Sequence, residues 1–259
     1  MEMKRIRVLA GVSDKSQALA KRVIVLLSKN FVITKVNPDL LLVVGGDGTL
    51  LHHIHKLGYP ELPFLGIDAG GLGFFQELKA TELAGLTKTL KTEKYNLQQL
   101  PLLELKSGSR HLGYAFNEFA IERGSARATH LSLSVGGHKF EKLIGDGLII
   151  ATPQGSTAYA SAAGGAVLPY DLSVFEVVPS NPHQSANYQA LRQPLVLSSD
   201  TILGVEILEP RSRPVRIVAD GHEIKAPTSF SISVSGKSIT MLRTHKFNFY
   251  ERLSSKLIG

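Results

Sequence analysis

The sequence predicts an α/β N-terminal domain, with a parallel sheet and helices on its faces, followed by a mainly β C-terminal domain. Three observations support this fold class. About the first hundred residues alternate between apolar, strand-like runs and segments with helical spacing, which is typical of a parallel sheet covered on both faces. After about Leu100, apolar and polar residues alternate with a period of two between turn signals, as in a sandwich or layered β domain. The last stretch returns to helical spacing and is expected to pack back on the first domain.

The elements of the N-terminal domain follow in order. Residues 5–11 (RIRVLAG) form the predicted first strand, and Ser13 or Asp14 is a suitable cap for the next helix. The run 39–44 (DLLLVV) is continuously apolar, as expected of a strand buried on both sides, and residues 63–67 (PFLGI) form a third strand. The apolar faces of the three predicted helices are Leu19, Val23, Leu26 and Leu27; Leu50, Leu51, Ile54 and Leu57; and Leu83, Leu86 and Leu90.

In the C-terminal domain, turn signals separate short alternating segments. The three turn dipeptides are Gly136-Gly137, Asp220-Gly221 and Ser235-Gly236. Phe249, Leu253 and Leu257 mark the final helical face. The change of pattern near Pro101 predicts domains at residues 1–98 and 99–245, with a C-terminal helix at 246–259 that packs on the first domain.

Composition excludes several classes of protein. Hydrophobic residues make up 43% and charged residues 20% of the 259 residues, which is close to the globular average. The absence of cysteine excludes disulfides and thiolate metal sites. The start, MEMKRIRVLAGVSDK, fits neither a signal peptide nor a membrane span, so a cytoplasmic location is expected.

The net charge of +7 favours an anionic partner. Such a charge attracts nucleic acid or a phosphate-rich small molecule. Because no stripe of alternating basic and aromatic residues is present, we expect no nucleic-acid partner, and no membrane partner either.

The stretch GGDGT (45–49) joins the second predicted strand to a helix. Glycines 45, 46 and 48 leave backbone N–H groups open to a phosphate, and the helix N-terminus adds positive potential. Asp47 would repel that phosphate unless a metal bridges the two or the carboxylate takes a proton. Phosphoryl transfer supplies both reasons. The alternative is an ordinary Gly-Asp-Gly turn.

Two further stretches carry candidate ligand contacts. In IDAGGLGFF (67–75), Phe74 or Phe75 is suited to cover a planar ligand, or else the pair fills the core near a turn. In AFNEFAI (115–121), Asn117 and Glu118 interrupt an apolar strand and offer donors and acceptors to ribose hydroxyls or an adenine edge. Solvation of a strand end is the alternative for this pair.

The segment GDGLIIATPQGSTAYASAAGG (145–165) begins with a predicted turn, continues as a buried apolar strand, and ends in a loop rich in hydroxyl groups and glycine. The loop's hydroxyl residues, Thr152, Ser156, Thr157 and Tyr159, cluster too closely for turn chemistry to be an easy explanation, although an ordinary polar loop remains open.

Two further sets of polar residues, both containing histidine, lie outside these stretches. In ADGH (219–222), Asp220 and His222 form either part of a site or a plain hairpin tip. His52, His53 and His55 lack the i, i+4 pair of a zinc helix and are interpreted as surface or packing residues.

Taken together, GGDGT, GGLGF, the NE pair and GDGLIIATPQGSTAY resemble the bacterial NAD kinase family in order and separation, and the resemblance covers nearly the whole chain. It implies phosphorylation of the adenosine 2′-hydroxyl of NAD, with ATP or polyphosphate as donor and Mg²⁺ or another divalent cation as cofactor, to give NADP. It further implies an α/β domain with a β domain, assembled as a homodimer or homotetramer. No protein ligand to the metal is assigned.

The resemblance also implies roles for individual residues. Asp47 corresponds to the base that contacts the 2′-hydroxyl. The phosphate-binding loop corresponds to Gly45, Gly46, Gly48 and Thr49, and the NAD-binding residues to Phe74, Asn117, Glu118, Asp146, Thr157, Ala158, Tyr159 and Asp220.

Three positions depart from the family's pattern. Ile144 stands where many members carry arginine, Gln154 replaces a small hydroxyl residue, and Ala162 stands where relatives can have serine. Two alternatives remain at this stage: a non-catalytic NAD-binding sensor, and a lipid-type kinase that shares only the GGDGT loop.

Overall fold

The computed structural model describes residues 3–70, 73–184, 190–244 and 247–258, and it consists of two compact units. Unit 1 comprises Met1–Leu100 and Ser238–Gly259, and unit 2 comprises Pro101–Lys237. The C-terminal segment therefore belongs to the first unit, as predicted. The sequence-based domain limits at 98/99 and 245/246 stay predictions.

Unit 1 contains a parallel sheet, which confirms the α/β class. Its strands are β1 (Arg5–Ala10), β2 (Val32–Ile33), β3 (Leu40–Val44), β4 (Phe64–Asp68), β5 (Leu78–Lys79) and the end of the long strand β17 (Ser229–Arg243). The order is β17-β4-β3-β1-β2, with β5 also paired to β4, and these pairs are parallel. Every residue of β3 is buried, so its continuous apolar pattern reflects a central strand.

The helices of unit 1 bury most of the faces that their spacing predicts, although Leu26, Leu51, Leu57 and Leu253 are only half-buried, and the Leu257 side chain lies outside the described part of the chain. They are α1 (Asp14–Leu27), α2 (Asp47–Lys56), α3 (Leu86–Lys91) and α5 (Phe249–Leu253), with a 3₁₀ turn at Leu83–Gly85 and a π-helical turn at Ser254–Ile258. Ser13 caps α1, since its side chain accepts the Ser16 N–H. One apolar core joins helix and strand residues, among them Leu19, Val23, Leu42, Leu65, Leu86 and Leu242.

Unit 2 consists of two antiparallel sheets and one short helix, α4 (Tyr159–Ala162). One sheet has β10-β9-β14-β17 in order, with β6 paired to β17 and β7, and the other has β13-β12-β11-β8-β15-β16. The strands not yet given are β6 (Asn96–Ser107), β7 (Arg110–Ala115), β8 (Glu118–Arg123), β9 (Thr129–Val135), β10 (His138–Gly145), β11 (Gly147–Ala151), β12 (Val174–Ser180), β13 (Leu195–Ser198), β14 (Leu203–Ile207), β15 (Val215–Ala219) and β16 (His222–Ile224).

Both sheets of unit 2 contribute to a single core. Phe119 and Ile150 come from one sheet, and Leu131 and Ile232 from the other. The two sheets therefore pack face to face, as in the layered β domain that the alternating pattern predicts. None of the described helices of the chain has the length and apolarity needed to span a membrane.

Two expectations about local structure were wrong. Strand β17 runs without interruption through Ser235-Gly236, where a turn was expected, and Gly236 does not have a positive φ. The segment AFNEFAI is not one interrupted strand, because β7 ends at Ala115 and β8 begins at Glu118. The expected hairpin turns at Gly136-Gly137 and Asp220-Gly221 are present, and all four residues have positive φ.

Candidate active site

The GGDGT loop lies in unit 1 at the carboxyl end of the buried strand β3. A Cβ atom at Gly45 would lie 2.5 Å from Thr49 Oγ1, so the Thr49 side chain packs against the Gly45 backbone and leaves no room for a larger residue there. Beyond the adjacent residues and the backbone of α2 itself, no described atom lies within 4 Å of the Cβ positions of Gly46 and Gly48. Gly46 is the N-cap of α2, and no side chain caps the helix. The loop therefore presents open backbone at a helix N-terminus, which is the arrangement that binds phosphate groups.

Asp47 is the first residue of α2, and the backbone of the second glycine-rich stretch contacts its carboxylate. Its Oδ2 accepts the Phe74 N–H at 2.6 Å and its Oδ1 accepts the Phe75 N–H at 3.0 Å. A Cβ atom at Gly73 would lie 2.6 Å from Asp47 Oδ1, so the glycine permits this approach. Two donors thus fix the orientation of the carboxylate.

The two phenylalanines have different environments. Phe75 is buried, with 2% of its surface exposed, whereas Phe74 is only half-buried. Of the two side chains, Phe74 is therefore the one available to a ligand, and Phe75 fills the core. Gly71 and Leu72 of the predicted GGLGF motif lie outside the described residues.

Burial and charge act in opposite directions on Asp47. Burial raises the pKa of its carboxyl above the usual range, while the N–H groups of Phe74 and Phe75 and the positive charges of Lys256 and Arg252 lower it. The net effect is a raised pKa. A carboxylate with a raised pKa is a better proton acceptor near neutral pH than an ordinary aspartate.

Arg252 and Lys256 are residues that sequence reasoning missed. They line a cavity of about 600 Å³ in unit 1, together with Gly73 from the loop that contacts Asp47. Burial lowers the pKa of Lys256, while Asp68 and Asp47 raise it. The sequence feature that could have identified them is their spacing of four residues, which places both side chains on one face of the predicted C-terminal helix.

In unit 2, Asp220 organises the corner between β7 and β8. It has φ +47° in the hairpin turn between β15 and β16. Its carboxylate accepts the N–H groups of Phe116, Asn117 and Glu118 at 2.6, 2.8 and 3.1 Å. Burial raises the pKa of Asp220 to about 6, against these three N–H groups, which lower it. The carboxylate therefore holds the backbone of the predicted NE pair.

The side chains of that pair have unsatisfied polar atoms. Asn117 is 5% exposed, and its Oδ1 has no hydrogen-bond partner within the described parts of the chain. The same is true of Glu118 Oε2. Burial and the nearby charge of Asp220 raise the pKa of Glu118 to about 8, while the Tyr159 N–H lowers it. Buried polar atoms without partners are costly, so these two atoms are candidates for hydrogen bonds to a ligand or to water.

The loop after β11 supports this corner from behind. The Thr152 hydroxyl and the Gln154 amide donate to Phe116 O at 2.7 and 2.9 Å, and Gln154 also donates to Pro101 O at 2.6 Å. A Cβ atom at Gly155 would lie 2.2 Å from Asn117 O, so only glycine fits. Thr152 and Gln154 are buried, so their side chains influence the site by fixing the backbone of Phe116.

The remaining loop residues differ in exposure. The buried Ser156 hydroxyl donates to Pro153 O and accepts the Leu168 N–H. Thr157 and Ala158 are half-buried, and Tyr159 is 44% exposed. The hydroxyl cluster that the sequence shows therefore divides into internal residues and residues available to a ligand.

Asp146 and Tyr159 line a second cavity of about 300 Å³, which belongs to unit 2. Asp146 accepts the Asn181 amide at 2.9 Å and pairs with Arg123 at 3.3 Å. Burial raises the pKa of Tyr159, as do the charges of Glu122, Glu118 and Asp146. The other charged lining residues, which sequence reasoning did not single out, are Glu122, Arg123 and Arg216.

The other candidate residues lie apart from these contacts. His53 Nε2 lies 3.2 Å from Ala10 O, and His52 is exposed. Ala162 is exposed and Ile144 is half-buried. In the parts of the chain that the structure describes, no group of three or more histidine, aspartate or glutamate residues is arranged to hold a metal ion.

Comparison with known proteins identifies the family. The model of the ATP-NAD kinase N-terminal domain matches residues 15–95, and that of the ATP-NAD kinase C-terminal domain matches residues 116–243. A curated relative, the NAD kinase of Xanthomonas campestris pv. campestris (strain 8004), is 32% identical over 84% of this chain and 84% of its own.

Two solved structures share the fold. The yeast NADH kinase complexed with NADH superposes with a TM-score of 0.85 at 19% identity, over all of this chain and 88% of its own. An NAD kinase from Archaeoglobus fulgidus in complex with ATP gives a TM-score of 0.80 at 23% identity, over 97% and 98% of the two chains.

These matches agree with the α/β and β units described above, and none of them supports a non-catalytic sensor or a lipid-type kinase. The N-terminal domain model covers the GGDGT and GGLGF stretches, and the C-terminal domain model covers the NE pair and GDGLIIATPQGSTAY. The alignment with the Xanthomonas relative covers 84% of the chain. The chain therefore belongs to the NAD kinase family, and it is a phosphotransferase of that family.

Proposed function

We propose that this chain transfers the terminal phosphoryl group of ATP to the adenosine 2′-hydroxyl of NAD, giving NADP and ADP, with Asp47 as the general base. The 2′-oxygen forms the new bond to phosphorus, its proton passes to the Asp47 carboxylate, and the bond from phosphorus to the ADP oxygen breaks. Polyphosphate is an alternative donor for the same step. The observation that carries this proposal is a half-buried carboxylate beside an open glycine loop at a helix N-terminus.

The environment of Asp47 supports its role as base. Two backbone N–H groups hold the carboxylate in one orientation, so that little reorganisation is needed when the hydroxyl arrives. The raised pKa of Asp47 increases its ability to accept a proton. The open backbone of Gly46 and Gly48, with Gly45 and Thr49 shaping the loop, is suited to the phosphate groups. The positive charges of Arg252 and Lys256 nearby favour negative charge on the transferred group.

We assign NAD contacts to the residues that the family resemblance marks. The unpartnered atoms Asn117 Oδ1 and Glu118 Oε2 are suited to ribose hydroxyls or the adenine amino group. Asp220 acts indirectly, because its carboxylate is engaged by three N–H groups and positions the backbone of the pair. The other proposed contacts are Phe74, Asp146, Thr157, Ala158 and Tyr159, of which Asp146 and Tyr159 share the cavity of about 300 Å³.

Mg²⁺ or another divalent cation belongs to the proposal as a companion of the phosphates. When bound, it would offset the charge of the triphosphate. The described residues do not fit an ion held by protein side chains alone, since no cluster of three or more suitable ligands is present among them. Both oxygens of Asp47 are also engaged by N–H groups. The steps above therefore use only residues of this chain.

We also propose that the protein works as a homodimer or homotetramer in the cytoplasm, on the basis of the family resemblance. Size-exclusion chromatography with light scattering tests the oligomer. A monomer at micromolar concentration would contradict it.

Replacement of Asp47 by asparagine tests the proposed base. We expect Asp47→Asn to lower kcat by roughly 10²–10⁴, because the amide cannot accept the proton. NAD affinity measured by calorimetry should change little and the variant should stay folded, although its Tm should fall by a few degrees, because the amide oxygen accepts only one of the two N–H groups of Phe74 and Phe75. The exposed Asp14→Asn in the first turn of α1 is the matched control and should keep full activity. Unchanged turnover in Asp47→Asn would remove the role.

The reaction itself is tested by incubating the protein with NAD, ATP and Mg²⁺ and analysing the products for NADP. The incubation is repeated with polyphosphate and with NADH to define donor and acceptor. NAD binding by calorimetry without any NADP formed from either donor would instead favour a non-catalytic sensor.

A further inference from the structure

Arg243, the last residue of β17, has an almost fully buried guanidinium in unit 1. It is 1% exposed, which is exceptional for arginine. A buried positive charge is costly unless it is paired and hydrogen-bonded. Its Nη1 lies 3.3 Å from Glu77 Oε2, whose side chain is 4% exposed, and its Nε donates to Gln98 Oε1 at 2.9 Å. The charge is therefore compensated within unit 1.

The same guanidinium also contacts the loop that holds Asp47. Arg243 Nη1 donates to the Phe75 carbonyl at 3.2 Å. The N–H of Phe75 donates to Asp47 Oδ1 at 3.0 Å, and the N–H of the preceding Phe74 donates to Oδ2. Arg243 and the Asp47 carboxylate thus bind opposite sides of one residue's backbone.

The C-terminal segment holds the rest of this loop. Glu77 accepts the Thr244 N–H at 2.8 Å as well as pairing with Arg243. Arg252 donates to the Gln76 carbonyl. Residues 74–77 are consequently held between Asp47 on one side and Arg243, Thr244 and Arg252 on the other.

We propose that Arg243, paired with Glu77, is a positioning residue for phosphoryl transfer: it fixes the loop 74–77 so that the N–H groups of Phe74 and Phe75 keep the Asp47 carboxylate in its reactive orientation. This inference rests on the proposed role of Asp47 as base. The competing explanation is that the pair only anchors the C-terminal segment, in which case its loss would affect stability alone.

The pH dependence of turnover separates these explanations. The groups that act on Asp47 are the N–H groups of Phe74 and Phe75 and the charges of Lys256 and Arg252. Because Arg243→Lys keeps the positive charge, we expect it to act on Asp47 through the position of the loop. Because the two N–H groups lower the pKa of Asp47, loosening the loop raises it. Turnover then falls at a higher pH on the acid side.

The test is Arg243→Lys, with the exposed Arg22→Lys of α1 as matched control. Lysine keeps the positive charge but loses the planar set of donors that contacts Glu77, Gln98 and Phe75 together. We expect kcat to fall roughly ten- to hundredfold, KM for NAD to stay within about threefold, and the acid limb of the kcat–pH profile to move to higher pH. A folded Arg243→Lys with the kcat and acid limb of the parent protein would overturn the proposal.

A second variant keeps the test decisive if Arg243→Lys does not fold. Gln98→Leu removes only the acceptor of Arg243 Nε. It should shift kcat and the acid limb in the same direction, with a several-fold loss, and a folded variant with neither change would also overturn the proposal. If Asp47→Asn itself leaves turnover unchanged, the proposed base fails. If Asp47→Asn lowers kcat and the Arg243 and Gln98 variants do not, only the positioning role fails.

Discussion

Asp47 and Asp220 are both aspartates whose carboxylates accept backbone N–H groups, two for Asp47 and three for Asp220. Asp47 lies beside glycines whose Cβ positions are open, whereas Asp220 occupies a hairpin turn and is enclosed by the corner that it holds. The two sequences, GGDGT and ADGH, look alike as turns. Only the surrounding atoms distinguish the proposed base from the proposed positioning group.

Glu118 provides a residue-scale prediction about pH. Its pKa is raised to about 8 by burial and by Asp220, from an unfolded value of 4.5. Because the pKa is raised on folding, the contribution of Glu118 to the free energy of unfolding is fully present below pH 4.5 and is lost as the pH rises to about 8. We therefore expect Glu118→Gln, which mimics the protonated form, to raise Tm at pH 8.5 by about 4 °C or more, from a difference of about 2 kcal/mol.

At pH 4.5 the same variant should melt within about 1 °C of the parent protein, since both side chains are then uncharged. The exposed Glu206→Gln is the control and should show no such pH dependence. Scanning calorimetry at both pH values measures the effect, and an equal Tm difference at the two values would contradict the explanation. NAD affinity should fall as well, because Glu118 is a proposed NAD contact.

At the scale of elements, the corner between β7 and β8 is built from three separate parts of unit 2. Asp220 comes from the β15–β16 turn, Thr152 and Gln154 from the loop after β11, and each bonds to the backbone of Phe116 or its neighbours. The sequence shows these stretches as candidate sites. It does not show that the β15–β16 turn and the loop after β11 both form hydrogen bonds to the backbone next to the NE pair.

The departure at Gln154 can be tested directly. Gln154→Thr installs the small hydroxyl residue of the family's loop, but the shorter side chain cannot donate to both Pro101 O and Phe116 O as the amide does. We expect the free energy of unfolding to fall by about 2 kcal/mol, for the loss of roughly two neutral hydrogen bonds. Urea denaturation measures it, with the exposed Gln193→Thr as control. A Gln154→Thr variant as stable as the parent would show that these bonds contribute little.

At the scale of the whole molecule, unit 1 is discontinuous in sequence. Leu242 belongs to its apolar core, Met241 pairs with Phe64 of β4, and Arg243 neutralises the buried Glu77. All three residues come after unit 2 in the chain. Unit 1 is therefore complete only when the C-terminal segment is present, whereas unit 2 is one continuous segment with its own core.

This organisation predicts different behaviour of two fragments. Residues 101–237 should unfold cooperatively on heating and give a dispersed amide NMR spectrum, because the core of unit 2 is intact. Residues 1–100 should not, since Glu77 would lose its charged partner and the sheet would lose the end of β17. Circular dichroism melting curves compare the two. A cooperative transition in the fragment 1–100 would contradict the prediction.

Sequence patterns by themselves determined the fold class, the longer helices, about half of the strands, and the motifs that mark the NAD kinase family. They could do so because burial imposes a period of two or 3.6 on apolar residues, and because left-handed turns and phosphate loops select glycine. Thus the continuous run of β3, the Ser13 cap and the Gly136-Gly137 turn were all recognisable from neighbouring residues.

Only the tertiary structure decided the contacts between residues far apart in the chain. The contact of Arg243 with the Phe75 carbonyl and the close approach of Gly155 to Asn117 O each join segments many residues apart. Their signals in the sequence are single residues with no period, and their energies arise from burial and from hydrogen bonds that exist only after folding. For this reason the identity of the proposed base could be read from a motif, while the groups that orient it could not.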